Sequence, residues 1–441
     1  EDEVAMGQVF EGRVVEMREM TREGEKRVFE CKVEVGEEGE GRKPGDSFGI
    51  ICQNSDEEVN NLLLRLKLDQ TSHRRFSLHS TSPSLSLSPP LHDHIPQHCS
   101  IRDALQRSCD ILFTSRPPSK VFLRALLEYC TAKSDRERLK ECIVGYSSPS
   151  SPFSPERASF PSNPPPLSSL PYSPTLLQLL TAFPSCRIPL AHLLDLLPPL
   201  LPRYYSMSND IKTHPKHVHF CFSEVSYLTS DNVLKKGLCT SYLASLFPSF
   251  SSSSSSSAQQ QQHTLSMFFR PRSRFVVPED VTFPLILIGP GTGIAPFIGF
   301  LQHRLRIKQT WEKKGEGKGK GEEKKLGKCL VFFGCRNREQ DYLYKEELEQ
   351  MEKEGVCEVV CAFSREQEEK VYVWHKMKER EAEVVKIVKG GGRIFVCGDG
   401  AKMAKDVERT FCDILQKNTE NWEKEWEEMT SSGYYLAEVW S

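Results

Sequence analysis

The stretch "FPLILIGPGTGIAPFIGF", residues 283–300, constrains the fold more than any other. A short apolar run feeds directly into a turn bearing Gly289, Gly291 and Gly293, and Pro296 follows where a helix can begin. Apolar runs this short, bounded by glycine and proline, read as strands buried on both faces. Glycine lets the backbone approach a ligand closely, and proline suits the first helical turn, where no N–H is needed. The free N–H groups of such a turn, with the positive end of the helix dipole, suit a pyrophosphate. Glycines also serve ordinary strand–helix packing, so the turn alone leaves both readings open.

The pattern repeats downstream. "LILIG", "CLVFFG", "EVVCAF" and "RIFVCG" alternate with helix-like segments beginning near residues 296, 341, 371 and 401. Strand–helix alternation of this kind implies a doubly wound parallel sheet, and ligands of such sheets sit at the carboxyl ends of the strands. Ser364 and Arg365 end the third strand, with Lys370 and Tyr372 just behind. An NAD site places a carboxylate there for the ribose hydroxyls. A hydroxyl, two cations and a phenol suit a 2′-phosphate instead, so the expected cofactor is NADPH. Two or three charge-assisted bonds at about 1.5–3 kcal/mol each favour it over NADH. Ion pairs among residues 366–369 are the plainer account, but they leave the strand-end position unexplained. Arg336 ends the second strand; Cys397, Gly398 and Asp399 end the fourth. Asp399 is placed to cap a helix through 401–415, and Cys397 taken alone reads as a core thiol.

Upstream the periods differ. "QVFEGRVVEM" and "RVFECKVEV" alternate as half-buried antiparallel strands, and Pro44-Gly45-Asp46 reads as a turn. From about 56 to 200 the pattern is helical. Ser/Pro-rich tracts (from residue 80 and through 147–174), a Ser/Gln tract (251–262) and a Lys/Gly/Glu tract (313–325) interrupt the plan of the chain. Such tracts bury too little apolar area to offset ordering entropy, so they read as mobile surface insertions.

Composition excludes some classes. Among 441 residues, 58 Lys and Arg balance 60 Asp and Glu, a net charge of -2. That balance gives no overall field drawing nucleic acid or anionic lipid. The 15 cysteines have irregular spacing and no CxxC pair, so no metal site is expected, and an odd count without a secretory signal suggests reduced thiols in the cytoplasm. No apolar run is long enough to cross a bilayer. The opening "EDEVAMGQVF" reads as a processed chain or fragment.

Two further stretches carry candidate chemistry. "LLPRYYSMSND", residues 200–210, joins Arg203, Tyr205 and Ser206; "KKGLCTSYL" joins Gly237, Cys239, Thr240 and Ser241. A flavin needs a cation for its pyrophosphate, an aromatic face for its ring and a hydroxyl near N5. Each stretch by itself also fits ordinary barrel structure; beside an NADPH site, a flavin is the economical reading.

Taken in order, "RYYS", "GLCTSYL", "GPGTGIAPFIGFLQHR", "FFGCR…DYLYKEEL", "AFSREQ…KVYV", "VCGDGAKMAKDV" and the terminal "VWS" resemble the FAD/NADPH half of the diflavin reductases. The resemblance implies an antiparallel FAD-binding β-barrel with a helical connecting insert, followed by the parallel-sheet NADP-binding domain. It divides the chain into barrel (1–55 and 199–281), connecting domain (56–198) and NADPH domain (282–441). It implies that Arg203 and Thr240 hold the FAD pyrophosphate, with Gly237 and Cys239 also in the FAD site, that Tyr205 stacks on the isoalloxazine, and that Ser206 lies near N5. Gly291, Thr292, Gly293, Arg336 and Asp399 fall in the NADPH site, with Ser364, Arg365, Lys370 and Tyr372 on the 2′-phosphate. Trp440 covers the flavin as a displaceable lid, stacking being worth only about 0.5–1.5 kcal/mol beyond burial. Ser206, Cys397 and Glu438 correspond to the hydride-transfer cluster, with glutamate where the family usually carries aspartate. FMN is expected only through a flavodoxin-like module that nothing in these residues resembles. The segments "PGDSFGIICQNSDEEV" and "AFPSCRIPLAHLLDLLPPLLPRYYS" favour the branch that reactivates a cobalamin enzyme; "AFSREQEEKVYV" suits the branch that reduces haemoproteins.

Overall fold

Thirteen strands follow the alternating and apolar runs among the residues described: β1 (Phe10–Glu19), β2 (Val28–Glu34), β3 (Ser47–Ile50), β4 (Arg203–Ser206), β5 (His217–Ser223), β6 (Ser226–Leu228), β7 (Leu234–Lys236), β8 (Thr264–Phe269), β9 (Leu285–Ile288), β10 (Cys329–Cys335), β11 (Glu358–Phe363), β12 (Arg393–Asp399) and β13 (Tyr435–Trp440). The computed structural model describes residues 8–22, 24–78, 94–114, 116–146, 173–228, 232, 234–251, 263–272, 274–314, 324–400 and 402–440. Nearly all of the Ser/Pro-rich, Ser/Gln-rich and Lys/Gly-rich tracts lie outside them. The chain divides into two units, Glu1–Ile50 with Tyr204–Glu224 and Ala244–Ser441, and Ile51–Arg203 with Val225–Leu243.

The first unit carries two sheets. One has the order β4-β3-β8-β1-β2-β5, with antiparallel pairs β1–β2, β1–β8, β2–β5 and β3–β8. The expected turn at Pro44-Gly45-Asp46 is present: Gly45 has φ +95°, and Asp46 N donates to Lys43 O at 2.9 Å.

The other sheet, in the order β11-β10-β9-β12-β13, is parallel throughout. Its central strand β9 and neighbouring β10 are apolar without interruption because both faces are covered, as parallel sheets require. Leu285, Leu287, Val331, Phe333 and Phe395 share one core with helix Ala295–Lys314. Ile286, Ile288, Leu330, Phe332, Ile394 and Val396 share the other, with helices Val373–Glu379, Glu381–Lys389 and Met403–Asn418. Fully burying one such side chain stabilises by about 1.5–3 kcal/mol.

Around the parallel sheet the structure adds three elements to those expected. A second helix, Glu381–Lys389, follows Val373–Glu379, and helix Trp422–Ser431 follows Met403–Asn418. The terminal residues form β13, a fifth strand parallel to β12.

The second unit is helical. Asp56–Leu66, Lys120–Glu128, Lys133–Val144, Leu176–Ala182 and Leu190–Leu196 are its longer helices. Ser55, Ser119 and Thr175 cap three of them, accepting from Glu58, Phe122 and Gln178 backbone N–H groups. The buried residues recur at three- and four-residue spacing (Val59, Leu62, Leu63; Leu176, Leu179, Leu180), so each helix turns one stripe into a shared core. Strands β6 and β7 pair as a short antiparallel ribbon. No helix among the described residues is long and apolar enough to cross a membrane.

Candidate functional site

The carboxyl ends of β9, β10, β11 and β12 open onto a cleft of about 600 Å³. Strand β9 ends in the glycine turn, which forms one tight helical turn, Gly291–Ile294, before helix Ala295–Lys314 begins. The glycines are required by geometry. Gly291 has φ +56°; a Cβ at Gly293 would lie 2.1 Å from the carbonyl oxygen of Cys397, and one at Gly289 would lie 2.5 Å from that of Gly293. The turn is thereby pressed against the end of β12, with Gly291 and Thr292 in the cleft wall. Bare backbone at a helix start fits a phosphate-bearing cofactor.

Arg336 stands at the end of β10. Its backbone N–H donates to both Asp341 carboxylate oxygens at 3.0 Å, and its guanidinium pairs with Glu25 at 2.9 Å. Ser364 leaves β11 in parallel register, its N–H donating to Cys335 O at 2.9 Å. Ser364 and Tyr372 line the cleft; the Tyr372 ring stacks on Trp374 at 4.5 Å. Arg365 and Lys370 are exposed on the segment between them rather than in the cleft wall. Asp399 also lines the cleft and accepts from Lys402 N–H at 3.1 Å, one residue ahead of helix Met403–Asn418. That bond closes the loop before the helix; Lys402 itself holds the N-cap position, where no side chain caps the helix.

Strand β13 completes the wall. Its register sets Glu438 opposite Cys397 and Trp440 opposite Asp399. Ser206 Oγ donates to Glu438 Oε2 at 3.3 Å. Burial raises the pKa of the Glu438 carboxyl, partly offset by the Ser206 hydrogen bond. The Cys397 thiol is pushed far above its ordinary value, first by burial and then by the Glu438 charge. Trp440 is 47% exposed and lines the cleft. Tyr205 is half-buried, its ring 5.0 Å from Phe220, whereas Tyr204 is exposed beneath the Arg270 guanidinium.

In the helical unit, Arg203 donates to Leu201 O at 2.7 Å and to Thr114 Oγ1 at 3.0 Å. The "GLCTS" turn opens helix Leu238–Leu246. Gly237 lies so close to Thr240 that a Cβ would come within 2.6 Å of its hydroxyl, and that hydroxyl accepts from Val225 N–H at 3.1 Å. The Cys239 thiol is buried against that of Cys52. Among the described residues the buried Ser241 hydroxyl has no hydrogen-bond partner. A tight glycine turn, a helix start and an unsatisfied hydroxyl fit a flavin's pyrophosphate.

Sequence reasoning missed Glu25, Lys26 and Asp341, all in the cleft wall. Asp341, six residues past the end of β10, is legible as a loop-closing acceptor. Glu25 and Lys26 sit in the β1–β2 turn, some three hundred residues away, with no local signal.

Comparison with known proteins agrees with this arrangement. The FAD binding domain family matches residues 3–242, and the oxidoreductase NAD-binding domain family matches residues 287–409. Methionine synthase reductase of Homo sapiens is 34% identical over 419 residues, covering 90% of this chain and 56% of the relative. That of Mus musculus is 35% identical over 389 residues, covering 85% and 52%. NADPH–cytochrome P450 reductase of Homo sapiens is 40% identical over 241 residues, covering 54% and 33%. The chain spans about half the length of the methionine synthase reductases it matches. With both domains matched in order and the glycine turn, strand ends and terminal tryptophan around one cleft, the chain belongs to the diflavin reductase family, of which it carries the FAD-binding and nicotinamide-binding domains.

Proposed function

We propose that the chain takes hydride from NADPH onto FAD and passes electrons through an FMN-binding module to a protein acceptor, the cobalamin of methionine synthase, in the cytoplasm. The observation that carries it is Ser206 bonded to Glu438, opposite Cys397, in the strand pair whose end holds Trp440 in the cleft wall. When bound, FAD accepts the hydride and releases electrons singly. We assign residues 1–55 and 199–281 to an FAD-binding barrel, 56–198 to the connecting domain and 282–441 to NADPH.

The protein's own part is positioning and charge placement. Arg203, Gly237, Cys239 and Thr240 grip the flavin pyrophosphate, Cys239 through its backbone, while Tyr205 offers an aromatic face. Gly291, Thr292, Gly293, Arg336 and Asp399 surround the NADPH phosphates and ribose. Ser364, Arg365, Lys370 and Tyr372 take the 2′-phosphate; the exposed cations close on it from the rim. Trp440 yields its place to nicotinamide. The Ser206 hydroxyl, the neutral Cys397 thiol and the Glu438 carboxyl would face a bound nicotinamide, and Glu438 would offset positive charge there most when ionised.

A second acceptor, a haemoprotein, is favoured by the 40% identity to NADPH–cytochrome P450 reductase. The purified chain reconstituted with FAD is expected to show the visible flavin band and to lose it with NADPH far faster than with NADH. A folded protein that takes up no FAD would refute the reading. Reduction assays with methionine synthase and with a cytochrome, each supplied with an FMN module, decide between the acceptors.

A further inference from the structure

The cleft's strand-end arginine already holds an anion, and that anion belongs to the chain. Glu25 Oε2 lies 2.9 Å from Arg336 Nη1, the carboxylate side chain 15% exposed and the guanidinium 39%. Both line the cleft beside Gly291 and Thr292. Glu25 is carried on the turn joining β1 to β2, and that turn is anchored at several points. Met20 N–H donates to Val28 O at 2.8 Å, and Arg22 N–H donates to Gln340 O at 3.0 Å, on the loop that follows Arg336. Arg27 pairs with Glu19 at 2.8 Å and with Glu224 at 3.3 Å. Arg336 is fixed too: Asp341 holds its N–H, and its carbonyl accepts from Arg365 N–H at 2.9 Å. Beside the pair, Lys26 has its pKa lowered, first by burial and then by the Arg336 charge. The turn therefore presents one carboxylate and one ammonium group to a cleft that a phosphate must enter.

We propose that Glu25 is a built-in competitor for a cofactor phosphate at Arg336: it neutralises the guanidinium in the free protein and must give way when NADPH binds. This rests on the reading of the cleft as the NADPH site. A resident carboxylate lowers affinity for every anion at Arg336 and speeds release of the oxidised cofactor, because Glu25 reoccupies the arginine as the phosphate leaves. It also ties the β1–β2 turn to the nicotinamide-binding sheet whenever the cleft is free and loosens that tie when it fills.

The test is calorimetric titration of the FAD-loaded protein with NADP+, which measures binding without turnover. Removing one partly exposed competing pair is expected to tighten binding roughly two- to fivefold in Glu25→Gln. In an Arg336→Gln background the same change is expected to have no effect, an outcome that a merely structural role for Glu25 does not produce. Glu25→Asp, which keeps the charge on a shorter stem, is expected to bind between the two. Unchanged or weaker binding in Glu25→Gln, or tightening that persists without Arg336, overturns the proposal while leaving the cofactor reading intact. Absence of NADP+ binding in every protein overturns both.

Discussion

Replacing Gly293 with alanine puts a methyl carbon 2.1 Å from the carbonyl oxygen of Cys397 and 2.8 Å from its carbonyl carbon. Both are backbone atoms, so no rotamer change relieves the contact; the glycine turn must move off the end of β12. Overpacking with side-chain partners costs about 1–3 kcal/mol, and a rigid backbone partner belongs at or above the top of that range, roughly 3 kcal/mol. Gly291→Ala is the control in the same turn. It meets nothing within 4 Å and is strained only through its φ of +56°, a cost of about 1 kcal/mol. Urea unfolding followed by tryptophan fluorescence, with NADP+ titration of the folded proteins, is expected to rank stability as parent, Gly291→Ala, Gly293→Ala. NADP+ affinity is expected to fall most in Gly293→Ala, because its displacement shifts Gly291 and Thr292, which line the cleft. A Gly293→Ala protein as stable as Gly291→Ala would show that the turn does not bear on β12, and the geometric argument for the cleft would fail.

Other perturbations probe the remaining assignments. Arg365→Ala is expected to remove one charge-assisted bond to the 2′-phosphate, worth about 1.5–3 kcal/mol, and so to cut the NADPH-to-NADH ratio of kcat/KM by roughly 10- to 150-fold; an unchanged ratio removes Arg365 from the site. Because burial raises the Glu438 pKa, the fold favours its neutral form. That stabilisation is fully present below the ordinary glutamate value of about 4.3 and is lost as pH rises through the raised folded value. Glu438→Gln is expected to abolish this decline, measured by unfolding across pH 4 to about 8, and to slow flavin reduction in stopped-flow measurements, whereas Glu438→Asp retains the charge. Trp440→Ala is expected to tighten NADP+ binding in calorimetry, since the ring no longer contests the nicotinamide position; weaker binding would argue against a displaceable lid.

The nicotinamide-binding sheet was legible because its signals are local. Runs such as "LILIG" and "CLVFFG" are too short for helices and too uniformly apolar for half-exposed strands, and glycine or proline marks each boundary. The helix expected near residue 371 is in fact two, Val373–Glu379 and Glu381–Lys389, interrupted at Arg380, which pairs with Glu358 and Glu383. A charged break of that kind leaves the helical period intact and so escapes a periodicity argument. The terminal "YLAEVW" alternates too weakly to announce a strand. It becomes β13 because the edge of β12 is open to it.

The alternation of strand and helix, the glycine turn with its proline-started helix, and the residue types at each strand end are all written in the local sequence. Those follow from backbone conformational limits and side-chain periodicity, which act over a few residues. The fold alone sets Glu438 across a strand pair from Cys397 while bonding it to Ser206, 232 positions away in the chain. Only it brought Glu25 onto Arg336, 311 positions away. Such pairings are set by how a sheet closes its edge and where a distant turn docks. Hydrogen-bonding geometry and burial of whole surfaces govern both, and no local run of residues encodes either.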